Sequence, residues 1–210
     1  MTYRDDKQDA RKSAPDAGVP EVYDPVAKTL HWGMALAMGA MVCLGLYMQA
    51  QPVSMATFHL FDFHKALGLT LLVLAVLRLA WRRFHGAPPM LTEGTKPWEL
   101  ALAKLVHVLL YGLMIAIPII GWLGASASGL PMTYFGLAPI PAIVGASESF
   151  QDLAFSLHRY AVWLLILAVG LHVAGALKRH LKVGDETLYR MLPFGMALSG
   201  RRNAVAEKKS

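Results

Sequence analysis

Apolar and polar positions fall in blocks along this chain, and the blocks have membrane dimensions. A helix needs about 20 mostly apolar residues to cross roughly 30 Å of hydrocarbon. Four stretches meet that requirement: 31–48, which holds no Asp, Glu, Lys or Arg, then about 64–81, about 104–125 and about 155–177. The third begins a tract, 105–147, without any charged residue, and this is too long for one span. Its part 124–145, GASASGLPMTYFGLAPIPAIVG, has the Gly and Pro content of a connection and is expected to lie at the interface. Pro118 is expected to kink the third helix, which packing tolerates in lipid. The pattern predicts an all-α membrane protein. A four-transmembrane-helix bundle occupies 25–193, after a polar, unstructured leader over 1–24 and before a basic tail over 194–210.

Composition agrees with the pattern. The 210 residues include only 16% charged ones, where a soluble domain has about 25%, and the mean hydropathy is +0.42. The leader is too long for the n-region of a secretory signal, and the apolar run behind it is too long for an h-region, so the first helix is expected to stay uncleaved. Cys43 is the single cysteine, which excludes an internal disulfide and covalent haem attachment through C-x-x-C-H.

Charge adds a direction. All basic residues but Lys65 and Arg159 lie ahead of His31 (in the leader, or at Lys28 just behind it), around the connection 78–104, or from Lys178 onward. The positive-inside rule then makes both termini and the middle connection cytoplasmic. The net charge of +6 is mainly this orientation signal, with attraction to anionic lipid second. It gives no ground for nucleic-acid binding.

Against this topology the histidines sort by depth. His31 starts the first helix at the cytoplasmic side, whereas His64 and His158 open two helices that descend from the outer side. His172 lies fourteen residues below His158, which is about 21 Å and within roughly 40° of the same face. Two pairs result, His64 with His158 and His31 with His172. Such an arrangement suits two b-type haems, each held by two neutral imidazoles inside a helical bundle. Gly68, Gly170, Gly175 and Ala176 are candidates for making room. Zinc competes, but two histidines per level fall short of its usual three or four ligands. Any single histidine in a span admits the plainer reading of a packed, hydrogen-bonded side chain, although ionisable groups in a membrane are functional candidates by default.

The other histidines divide differently. His107, at the inner end of the third helix, admits three roles: a quinone or propionate contact, a proton-handling group, or a structural hydrogen-bonder. His59 and His85 fall in connections and read as surface residues. His180 belongs to the basic flank and is the nearest substitute for His172. Lys65 and Arg159 each follow an outer histidine directly. They suit haem propionates at the membrane edge, or a positive spot that steers a small anion inward. Snorkelling from helix ends is the alternative.

Several stretches carry a resemblance to a known family. They are LHW (30–32), HKALGLTLLVLAVLRLAWR (64–82), AKLVHVLLYGLMIAIPIIGW (103–122) and LHRYAVWLLILAVGLHVAGALKRHLKVGDETLYRMLP (157–193), the last ending in a D-x-x-L-x-R-M motif at 185–191. Over about 22–193 the chain resembles the prokaryotic cytochrome b-561 family, which groups with the cytochrome b subunits of nickel-iron hydrogenases. The resemblance implies two haems b on His31, His64, His158 and His172. It also implies residence in the bacterial inner membrane and electron exchange with membrane quinone, ubiquinone here. Small stand-alone members act as superoxide:quinone oxidoreductases, and this chain has their size and short loops. The alternative is a haem b anchor subunit that passes electrons from a periplasmic hydrogenase or other dehydrogenase to quinone. A transporter or haem-free scaffold fits less well, and ascorbate exchange belongs to six-helix namesakes. The outer loop 126–157 departs from some relatives, so quinone contacts do not carry over.

Overall fold

The structure is a computed structural model that describes residues 22–193 except Val53 and Glu93. The tail over 194–210 and the leader up to residue 21 lie outside the described residues. Four long helices, α1 Pro25–Gln49, α2 Phe58–His85, α3 Pro97–Ala127 and α4 Glu148–Lys178, are each long and apolar enough to cross a membrane. A π-helical turn, Arg179–Val183, and a short α5, Thr187–Met191, follow.

Every helix overruns the apolar stretch that announced it, and at α1 and α4 a polar side chain caps the extended start. Asp24 caps α1, its Oδ1 accepting from the N–H groups of Val26 and Ala27 at 2.9 and 3.0 Å, with Pro25 at the first helical position. Burial alone would raise the Asp24 pKa, but the hydrogen bonds from Ala27, Trp81 and Val26 outweigh it and hold the carboxyl below its usual range. Ser147 caps α4 through Phe150 N–H, which starts that helix seven residues before the expected 155. His59 therefore sits in the first turn of α2, and His85 in its last, rather than in connections. Through Pro118 α3 runs unbroken.

The connection between α3 and α4 is more ordered than its sequence suggested. Two short strands, β1 Thr133–Tyr134 and β2 Ala138–Pro139, pair antiparallel with Tyr134 opposite Ala138. Phe135 and Gly136 between them both take positive φ, 51° and 73°, and Leu137 N–H bonds back to Tyr134 C=O. Two successive positive φ values are the requirement of a type I′ turn. Tyr134 Oη lies 3.0 Å from Thr70 Oγ1 and ties the hairpin to α2. Ala125, Met132 and Ile140 form a buried cluster with Leu69 and Trp122 beneath it.

Each spanning helix packs on the next, α3 against α4 most extensively, around Leu113, Leu165 and Ala168. At Gly124 the Phe155 ring of α4 lies so close to α3 that an added Cβ would stand 2.7 Å from it. Gly124→Ala should therefore destabilise the bundle by about 1–3 kcal/mol through overpacking. A lowered Tm of the detergent-solubilised protein would register this. Gly112→Ala, where a Cβ meets nothing within 4 Å, should not lower it.

The D-x-x-L-x-R-M segment closes the end of the bundle that carries the termini. Arg179 pairs with Asp185, and also donates to Thr187 Oγ1 at 3.1 Å and to Leu91 C=O at 2.7 Å. Arg190 donates to Pro89 C=O, and Met191 C=O accepts from Trp32 Nε1 at 2.9 Å. The segment thus staples the α2–α3 connection to α1. Burial would raise the Asp185 pKa, but Thr187 and Arg179 more than offset it and keep the carboxyl ionised below the usual range.

Candidate functional site: paired histidines in the bundle

Consecutive helices pack side by side and the bundle runs up and down, so α2 and α4 enter from one end and α1 and α3 from the other. At the hairpin end, His64 of α2 faces His158 of α4, with ring centres 6.3 Å apart and planes at 68°. At the other end, His31 of α1 faces His172 of α4 at 6.2 Å and 66°. His172, and not His180, is the ring opposite His31. His180 packs edge-on against Tyr189 in the π-turn region.

These distances suit a metal between two rings. A metal–imidazole nitrogen bond of about 2.0 Å, plus about 1.2 Å from nitrogen to ring centre, puts trans imidazole centres about 6.4 Å apart. Among the described residues, no group of three or more His, Cys, Asp or Glu side chains could hold a metal ion. Pairs are what porphyrin iron asks for, since it needs axial ligands alone. His158 Nδ1 lies 3.0 Å from Ile117 C=O. Donation to that carbonyl assigns the proton to Nδ1 and leaves the Nε2 lone pair free. His64 Nδ1 is buried with no hydrogen-bond partner among the described residues.

Two glycines complete the hairpin-end level. A Cβ at Gly45 of α1 would stand 3.4 Å from His64 Cε1, and one at Gly121 of α3 would stand 3.1 Å from His158 Cε1 and Nδ1. Sequence reasoning missed both glycines. The signal was the fourteen-residue spacing itself: Gly45 follows His31, and Gly121 follows His107, by the interval that separates His158 from His172. Of the small residues singled out for room, Gly68 faces Met41, and Gly170 and Gly175 border open space.

The remaining candidates take definite places. His107 lies beside His172, ring centres 5.0 Å apart and nearly perpendicular, with its Nδ1 2.6 Å from Ala103 C=O one turn back. Lys65 is paired with Asp62 at 2.6 Å and lies over the Phe58 ring. Arg159 is exposed, next to His158, and joins no ion pair among the described residues. His59 is exposed, and His85 stacks on Trp81 at 3.7 Å.

Four spanning helices with imidazoles paired inside the bundle are the layout of a membrane electron-transfer protein that carries b-type haem. The family described as prokaryotic cytochrome b561 matches residues 22–194, and the chain belongs to that family. It is similar to cytochrome b561 homolog 2 of Escherichia coli (strain K12), 33% identical over 174 residues that make up 82% of this chain and 92% of the relative. It is also similar to the probable superoxide oxidase CybB of Yersinia pestis, 32% identical over 133 residues, 62% of this chain and 73% of that one. Cytochrome b561 homolog 1 of the same Escherichia coli strain is 26% identical over 169 residues, covering 78% of this chain and 93% of the relative. The protein is a multi-pass bacterial membrane protein.

Proposed function

We propose that the chain holds two haems b, one between His64 and His158 and one between His31 and His172, and transfers electrons from superoxide to ubiquinone in the inner membrane. Both termini are cytoplasmic in this reading, so the His64–His158 level faces the periplasm. The observation that carries it is the near-identical spacing of the two imidazole pairs, 6.3 and 6.2 Å, at opposite ends of the bundle. The similarity to the relative named a probable superoxide oxidase supports the donor.

When bound, haem iron supplies a one-electron couple at each level. The chain's own groups set the conditions. Ile117 C=O fixes the His158 tautomer, and the close floors at Gly45 and Gly121 hold the outer rings. His107, bonded to its own helix, buttresses His172. Lys65 is offset by Asp62, so Arg159 is the cation that draws an anionic donor to the outer face. Overall, two superoxide ions and one quinone take up two protons and yield two dioxygen molecules and one quinol.

Purified protein in detergent should show a low-spin haem b spectrum that superoxide reduces, and superoxide-driven quinol formation that depends on the protein. Haem left oxidised by superoxide would exclude this donor. Co-purification of a metal-bearing dehydrogenase, with no activity in its absence, would make the chain that enzyme's anchor subunit instead.

A further inference from the structure

One interval organises the interior of all four spans. At the hairpin end, Gly45, His64, Gly121 and His158 stand on α1 to α4; fourteen residues along each helix, at the other end, stand His31, Arg78, His107 and His172. Fourteen residues advance a helix by about 21 Å and bring it back to within roughly 40° of the same face. Arg78 is therefore to His64 what His172 is to His158, a side chain on the inner seam at the second level. Its guanidinium donates to Ala27 C=O at 3.3 Å and lies within electrostatic reach of both His31 and His172.

A second cation converges there. Lys28 is 5% exposed, follows Ala27 directly, and stands three residues before His31, on the same side of α1 one turn nearer its start. Neither Lys28 nor Arg78 joins an ion pair among the described residues. A buried ammonium is costly unless an anion meets it, and a guanidinium fork matches a carboxylate bidentately.

We propose that Lys28 and Arg78 form the carboxylate-binding corner of the His31–His172 site and hold the two propionates of its haem. This rests on the two-haem reading above and assigns that haem's edge to the side of α1 and α2. A cation beside the group favours the reduced form, which carries one positive charge fewer, so its removal lowers the midpoint potential.

The test is a visible redox titration of Lys28→Gln, Arg78→Gln, the double variant and Arg78→Lys, with haem per chain measured by pyridine haemochrome. The expected result is a shift to lower potential in one component only, the one that is missing from His31→Ala. The double variant should shift further or lose that haem, and Arg78→Lys, which keeps charge without the fork, should fall between wild type and Arg78→Gln. If Arg78→Gln does not accumulate, Lys28→Gln and Arg78→Lys carry the comparison. Unchanged potentials, or a shift confined to the other component, would overturn the assignment. So would a potential that responds to these variants only in vesicles with anionic lipid, since the cations would then bind lipid phosphate. A colourless wild-type protein would instead overturn the two-haem reading, and this inference with it.

Discussion

On the two-haem proposal, His158→Ala is expected to lower the haem-to-chain ratio from about two to about one, and His172→Ala to do the same at the other level, because each imidazole would be half of its iron's protein ligation. Where a pigment survives with one imidazole, it should change from low-spin to high-spin and shift in its visible bands. The double variant leaves no complete pair and should be nearly colourless. Pyridine haemochrome on detergent-purified protein, normalised to chain, reads all three. The arrangement makes the two losses independent, since His64 and His31 come from different helices. A spectrum unmoved by either replacement would show that these rings hold no iron.

Gly121→Val should reproduce the loss at the hairpin end without replacing either histidine of that pair. The first carbon of the new side chain already falls 3.1 Å from two atoms of the His158 ring. The added methyl groups then force the imidazole off its line to His64 and away from Ile117 C=O. Disturbing the groups that orient a metal ligand commonly costs 10–100-fold in affinity. One haem should therefore be lost or weakened, and it should be the component that His158→Ala removes. Gly112→Val lies on the same helix with nothing within 4 Å of its Cβ and should leave both haems in place. Equal pigment in the two variants would show that the tight approach at Gly121 serves packing alone.

Much of the architecture was legible because it rests on long-range regularities. Hydropathy located four spans, since a bilayer imposes one length on all of them. The rise and pitch of a helix are fixed, so counting residues was enough to bring His64 opposite His158 and His31 opposite His172. Local chemistry was less readable. Asp24 caps α1 while also accepting from Trp81, fifty-seven residues away, and no window along the chain reveals that pairing. The hairpin turns on Phe135 and Gly136, too short a stretch for strand periodicity. Arg78 was counted as orientation charge, a treatment that ignores which way a side chain faces. Gly45 and Gly121 were overlooked because glycine is frequent in membrane helices for ordinary packing reasons. Read in steps of fourteen, the same letters point inward.

The uninterrupted run of α4 through both His158 and His172 has a mechanical consequence. A single rod acts as the ruler between the two imidazole pairs, so their separation is an integer count of residues and not a matter of loop length. Inserting one residue between them would swing one ring by about 100° and break a pair. Loops at either mouth remain free to vary in length and partner while the distance between the two imidazole pairs stays constant.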